Sequence, residues 1–293
     1  MQTHQSNIVI VGAGLTGLHL AQSLHQRGKN CLILEKSKGL GGRIATRRMD
    51  DLGLDHGAAY LKDSLEMRSA LQEFTFHPQL TSHGLLVSGG MNQVAKAFAQ
   101  NLHVLKSQKL QSIKRQNDGW ELETEEGMQL NCQHLIITAP IPQALELLEK
   151  NHLAPEIDHP LYSVKYSFAL ILLAILEDVK SHQTHEVFDD HQFLLMKERK
   201  LHPHGLVLQL SPSFSQKFFE EPEEVILSHI FKMLKDSPYS DVTIQKYELK
   251  KWRYSHPLSQ LPVAYVEVAP QLYLAGDGFT SPMKSAEAIA SLL

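Results

Sequence analysis

The residues best suited to chemistry stand at the front of the chain. Gly12-Ala13-Gly14-Leu15-Thr16-Gly17 follows a β-branched run over residues 7–11 and opens a helical pattern over residues 16–27. In this GxGxxG spacing the first glycine permits a tight turn and the second lets a pyrophosphate approach the backbone. The third lets helix and strand pack closely, and the amides at the helix start face the phosphates. Glu35 ends a second apolar run, residues 31–35, 18 residues after Gly17. A carboxylate there accepts hydrogen bonds from a ribose diol and repels a 2′-phosphate. Strand, glycines, helix, strand and acid together read as a dinucleotide site; the plainer alternative is glycines that merely serve turns.

Six residues past Glu35 comes Gly41-Gly42-Arg43, followed by Ala45-Thr46-Arg47-Arg48 and Asp55-His56-Gly57-Ala58-Ala59-Tyr60. A glycine pair beside an arginine lets the chain pass close to a second phosphate and a ribityl chain while Arg43 offsets their charge. A nicotinamide-only Rossmann domain does not require this. An acid followed six residues later by Gly-Gly-Arg resembles the signature of the flavin amine-oxidase superfamily. Ser88-Gly89-Gly90-Met91, Ile136-Ile137-Thr138-Ala139-Pro140 and Leu274-Ala275-Gly276-Asp277 extend the likeness over nearly the whole chain. Within the superfamily the sequence is most similar to bacterial renalase-like proteins, through Gly39-Leu40-Gly41-Gly42-Arg43-Ile44-Ala45-Thr46-Arg47-Arg48 and Lys251-Trp252-Arg253-Tyr254. It departs from them at Ser255, where alanine is commoner, at Gly278-Phe279 in place of a tryptophan, and in a short terminal helix.

The resemblance implies noncovalent FAD. It implies cofactor contacts from Gly12, Gly14, Leu15, Thr16, Gly17, Glu35, Lys36, Gly41, Gly42 and Arg43 in the first segment. Gly57, Ala58, Ala59, Leu110, Ala139, Gly276 and Asp277 follow, and Lys284, Ser285 and Ala286 aim the start of the last helix at the flavin N1 and C2 carbonyl. The implied activity is hydride transfer to flavin N5 from abnormal isomers of dihydronicotinamide dinucleotides, with molecular oxygen as acceptor giving hydrogen peroxide. Tyr60, Trp252, Arg253 and Tyr254 are then expected to shape the substrate pocket, with no catalytic residue singled out. Two other readings stay open: a flavin amine oxidase acting on a small amine, and a non-catalytic flavoprotein that senses redox state.

Other groups have plainer explanations. Strand alternation sends Trp252 and Tyr254 to one face and Arg253 to the other, which equally describes an aromatic core with a solvated arginine. His182-Gln183-Thr184-His185 and His202-Pro203-His204 lack the glutamate of a His-Glu-x-x-His zinc helix, so no metal is expected. Glu220, Glu221, Glu223 and Glu224 read as a solvated helix start, and Lys197-Glu198-Arg199-Lys200 as a surface turn or a contact for an anionic substrate. Cys31 and Cys132 read as small buried hydrophobes. The sequence shows no nucleophile elbow, Ser-His-Asp set or paired carboxylates. Hydride transfer to a flavin needs mainly alignment and a dry site.

The elements that must position these residues follow from periodicity. Helices are predicted over residues 64–74, 92–100, 222–235 and 285–292. Strands are predicted at 85–87, 166–176, 206–210, 243–254 and 272–275, with an antiparallel meander from 103 to 138. The expected fold class is α/β (α+β): a Rossmann-type FAD-binding domain with a substrate domain built on a mixed or antiparallel sheet. Residues 1–60, 84–150 and 263–293 are assigned to the discontinuous FAD domain, and 61–83 and 151–262 to the substrate domain.

A length of 293 residues suits two domains, and 43% hydrophobic with 20% charged residues excludes a disordered, coiled-coil or collagenous chain. A formal charge of −4 supplies no basic field for nucleic acid. Two cysteines cannot build a disulfide framework, and the N-terminus lacks a basic n-region, so the cytoplasm is the expected compartment. The most lipid-like stretch, residues 168–176, is less than half the ~20 residues of a spanning helix.

Overall fold

The computed structural model describes residues 3–74, 76, 78–81, 84–87, 89–177, 186–188, 191–196, 204–236, 240 and 243–293. Its contacts divide the chain into two units. Met1–Ala45, Tyr60–Lys165 and Pro257–Leu293 make the first; Thr46–Ala59 and Tyr166–His256 make the second. Ser88 and residues 182–185, 197–200 and 202–203 lie outside the described residues.

The first unit is organised on a six-stranded sheet. Its order is Tyr265–Ala269, Leu272–Ala275, His134–Ile137, Ile8–Val11, Cys31–Glu35, His103–Lys106, all parallel except the first edge strand. Parallel strands covered on both faces must be apolar throughout, and Ile8, Val9, Ile10, Leu32, Ile33, Leu34, Leu135, Ile136 and Ile137 are all buried. Helix Leu15–Gln26 lays Leu18, Leu20, Ala21 and Leu24 into that core. It ends in a Schellman motif, with Lys29 N–H bonded to Leu24 O (2.9 Å) and Gly28 N–H to His25 O (2.9 Å).

A second sheet in this unit runs Thr3–Gln5, Gln129–Cys132, Gly119–Thr124, Leu110–Gln116. Trp120, Leu122 and Thr124 point inward and alternate with more exposed neighbours. The meander is therefore shorter than the sequence suggests. His103–Lys106 leaves it to pair with Leu32–Glu35, because tertiary pairing rather than local pattern decides between two sheets. Helix Ile141–Lys150 was not anticipated, although Ile141, Ala144, Leu145 and Leu148 bury at helical spacing behind Pro140. The last helix starts at Pro282 rather than 285, capped by the Ser281 side chain on the Lys284 amide.

The second unit holds a five-stranded antiparallel sheet in the order Glu186–Phe188, His191–Met196, His204–Leu210, Ala169–Glu177, Thr243–Trp252. The fourth strand in this order, Ala169–Glu177, is buried to its last residue but one. Leu170, Leu172, Ala174 and Leu176 face Phe219, Ile226, Ile230 and Leu234 from the helical segment. Helix Glu223–Lys235 carries Glu223 and Glu224 in its first turn and Lys232 and Lys235 in its last, as its dipole favours. The hairpin Thr46–Met49 with Leu52–Asp55 packs on this sheet: a Cβ at Gly205 would lie 2.4 Å from Leu54 Cδ2.

This division differs from the expected boundaries. Residues 61–83 group with the first unit, where Leu61 pairs with Leu85 and helix Leu65–Gln72 contacts helix Pro282–Leu292. Residues 151–165 and 257–262 do likewise, whereas 46–59 join the second unit through the Leu54 contact.

Candidate cofactor site

Among the parallel strands of the first unit the first in sequence is central. The second and third lie on one side of it, the fourth and fifth on the other. The switch falls between Ile8–Val11 and His134–Ile137, and ligands of open α/β sheets bind beyond the carboxyl ends of strands at such a point. The Gly12–Gly17 turn lies there. Gly17 has no room for a side chain, since a Cβ would sit 2.0 Å from Gly12 O. A residue missed in the sequence fixes the turn from the neighbouring strand: the Thr138 hydroxyl lies 3.0 Å from Val11 O and 3.2 Å from Gly12 O. A hydroxyl just beyond the strand 134–137 was the available signal.

Gly14 caps helix Leu15–Gln26, and nothing lies within 4 Å of where its Cβ would be. The first turn carries no acid. Amides without intrahelical partners at Leu15 and Thr16, with the positive end of the helix dipole, suit an anionic ligand entering that open side.

Glu35 is buried, and its carboxylate ties the site together. Oε2 accepts from Ala13 N–H at 2.8 Å and Oε1 from Ser37 N–H at 2.7 Å. A carboxylate offers about four acceptor positions, so capacity for a ribose diol remains. Ser107 and Gln108 fold back here, their N–H groups bonding Ser37 O and Glu35 O. Lys36 is exposed; Leu110 is buried at the start of an antiparallel strand.

The second glycine pair meets the first motif directly. Gly41 bridges Gly14, donates its N–H to Ala13 O at 2.8 Å, and holds φ at +106°, a conformation that favours glycine. Arg43 reaches across the sequence to Asp277, Nη1 to Oδ2 2.5 Å, with both side chains largely covered. Arg43, expected to offset the charge of a phosphate, is thus also paired with a carboxylate. The Asp277 carbonyl accepts from Gln260 Nε2 at 2.7 Å.

The end of the chain needs a correction. The buried Ser285 hydroxyl accepts from Gly276 N–H at 2.9 Å and donates to Ala264 O at 2.5 Å, so it locks strand to helix rather than presenting itself to a ligand. Ala286 is fully buried. The Lys284 amide is taken by Ser281 and its ammonium lies 3.7 Å from Glu66. Pro282 has no N–H, which leaves Met283 as the first-turn amide with no acceptor in the helix or its cap. Ala139 follows Thr138 and is half-buried. Tyr60 belongs to this unit, and burial pushes its phenol pKa up. Gly57, Ala58 and Ala59 belong to the second unit.

In that second unit, Trp252 Nε1–H donates to His56 O at 2.6 Å and the two rings stack at 5.5 Å. Burial, reinforced by Lys250 and Arg47, brings the His56 pKa down to about 4. Arg47 engages both oxygens of Glu248 at 2.9–3.2 Å and Lys250 adds a bond at 2.5 Å, holding Glu248 at about 2. The strand ends at Trp252, so alternation does not extend to Arg253 and Tyr254, which lie in the following turn. Arg253 pairs with Glu220 at 2.7 Å and covers the Phe219 ring at 5.0 Å. Tyr254 meets Tyr166 edge-on at 5.9 Å.

Among the described residues no group of three or more His, Cys, Asp or Glu side chains is placed to hold a metal ion, and no helix is long and apolar enough to cross a membrane. Burial pushes both cysteine thiols up to about 12.

Residues 10–74 match the family of NAD(P)-binding Rossmann-like domains, and residues 58–167 match that of flavin containing amine oxidoreductases. The chain is 37% identical over 59 residues to the pig flavin-containing amine oxidase A, 20% of this chain and 11% of that protein. It is 41% identical over 51 residues to the L-amino acid oxidase of Cerastes cerastes, 17% and 10% of the two chains. The matched segments thus span about a tenth of those relatives. Among solved structures, putrescine oxidase bound to putrescine aligns over 99% of both chains, with a TM-score of 0.74 at 14% identity. Cyclohexylamine oxidase from Brevibacterium oxydans aligns over 98% of this chain and 99% of its own, with 0.72 at 12%. A fatty acid isomerase from P. acnes aligns over 98% and 97%, with 0.71 at 10%. At these identities the likeness is one of fold.

Proposed function

We propose that the protein is an FAD-dependent oxidoreductase that oxidises isomeric dihydronicotinamide nucleotides. The observation that carries the flavin assignment is the meeting of Gly12–Gly17, Glu35, Gly41–Arg43 and Asp277 at one end of the parallel sheet. These residues fit the group: an open backbone at Gly14 for a pyrophosphate, a buried acid for a ribose, and a main chain free of side chains at Gly41 and Gly42. Bound FAD supplies a two-electron acceptor for a hydride and passes the electrons on to oxygen, giving hydrogen peroxide. The chain's own residues orient and exclude water. Ser285 and Thr138 hold the strand ends in place, and Ser281 fixes the first turn of the last helix.

The charge held in the second unit supports this reading of the donor. A dihydropyridine expels its hydride with the help of its own ring nitrogen, so no base must remove a proton. His56 stays neutral through ordinary pH, and the two cations Arg47 and Lys250 against the one carboxylate Glu248 leave a net positive charge that favours an anionic donor over a cationic amine. Trp252 is the side chain assigned to its nicotinamide. A small amine is the second reading, favoured by the likeness to amine oxidases.

Anaerobic mixing of the FAD-loaded protein with a panel of dihydronicotinamide isomers and amines decides between them. Rapid bleaching of the flavin by the nicotinamides is expected. Bleaching by amines alone overturns the donor, and bleaching by neither favours a flavoprotein without catalysis.

A further inference from the structure

At the amino end of the parallel sheet, opposite the cofactor cradle, the first unit contains a cleft of about 770 Å³. Four neighbouring strands begin in it, at Ile8, Cys31, His103 and His134. Its lining is unusual in charge: it includes His4, His25, Lys29, His103 and His134, and no aspartate or glutamate side chain. Asn7, Asn30 and Asn101 add amide donors around the same opening. Nothing in the nucleotide cradle uses these residues.

We propose that this cleft is a second ligand site that takes a phosphate group. Histidine, lysine and asparagine side chains from separate elements line the cleft with no carboxylate side chain among them, a donor set suited to a phosphate anion, and the Leu293 oxygen is an acceptor on its wall. His4 comes from strand Thr3–Gln5, and His25 and Lys29 from the end of helix Leu15–Gln26 and the turn after it. His103 and His134 come from the sheet itself. The Lys29 ammonium bonds the Leu293 carbonyl oxygen, so it enters the cleft already partnered. His134 Nδ1 is buried with no hydrogen-bond partner among the described residues. Burial lowers the basicity of His134 and Lys29 adds to that, against the pull of Glu267; a bound anion reverses the balance and draws a proton onto the ring. Anion binding and protonation of the His134 ring are therefore linked, each favouring the other.

The test uses FAD-loaded protein, so that the cradle is filled, and compares inorganic phosphate with chloride at equal ionic strength. At about pH 6, phosphate at roughly ten times its Kd should raise Tm by about 2–4 °C, and the gain should largely vanish near pH 8. Glycerol phosphate in a parallel arm distinguishes a phosphate ester from the free ion; a rise with either supports the site. His25 and His103 are exposed, so His25→Gln with His103→Gln should fold, keep its flavin absorbance and lose the phosphate response. No rise at the lower pH, an equal rise at both, or a response that survives the double substitution overturns the proposal. Flavin content reports separately on the cofactor assignment.

Discussion

In the first unit the candidate cofactor site is made of main chain. Gly14 and Gly41 bridge one another, and both oxygens of the single buried carboxylate, Glu35, accept from the Ala13 and Ser37 amides. In the second unit polar density is carried by side chains drawn from two distant segments. Arg47 and His56 come from residues 46–59, and Glu248, Lys250 and Trp252 from one strand. A main-chain site tolerates almost no added atom but has little to titrate. A side-chain network tolerates substitution and responds to pH, because its geometry rests on ionisable partners.

The largest expected effect breaks the first half of this comparison. Gly17→Ala places a methyl 2.0 Å from Gly12 O and must displace the turn that Thr138 holds. Titration of the cofactor-stripped variant with FAD should show affinity reduced on the order of 100-fold or more. Wild-type affinity would mean the turn does not carry the pyrophosphate.

The second prediction concerns acid. His56 has a folded pKa of about 4 against an ordinary 6.5, so between those values the unfolded chain binds the extra proton. Its contribution is complete above about pH 6.5 and declines as pH falls toward 4. Glu248, at about 2 against 4.5, continues the loss below that. Thermal unfolding across this range should show Tm falling from pH 6.5 to 4, and His56→Gln should flatten that segment alone. An unchanged slope in the variant removes His56 as its source.

The smallest effect sharpens the role of Trp252. Trp252→Phe keeps a ring against His56 but removes the 2.6 Å bond to its carbonyl, at a cost of about 1 kcal/mol. Trp252→Ala should slow flavin reduction in stopped flow without releasing FAD; an unaltered rate removes Trp252 from the substrate pocket.

The same contrast explains what the sequence disclosed. The turn at Gly12–Gly17, Glu35 and the Gly41–Arg43 segment are local patterns whose spacing encodes their geometry, and the helical pattern over residues 16–27 falls on helix Leu15–Gln26. The hairpin 46–55 was not anticipated: Arg47 and Arg48 are exposed on its first strand, and the burial of Leu52 and Leu54 on its second comes from a distant contact with Gly205. The fates of Arg43 and Arg253 were hidden for a different reason: their partners, Asp277 and Glu220, lie 234 and 33 residues away, and no periodicity links them. Ser285 read as a ligand contact because its neighbours start a helix, whereas its hydroxyl is committed to Gly276 and Ala264.

The most direct measurement is a visible absorbance titration of the purified, cofactor-stripped protein with FAD under native conditions. Saturable uptake of one flavin per chain, abolished by Gly17→Ala and retained by Trp252→Ala, is the predicted result. A protein that stays colourless at every FAD concentration, while remaining folded by circular dichroism, would contradict it.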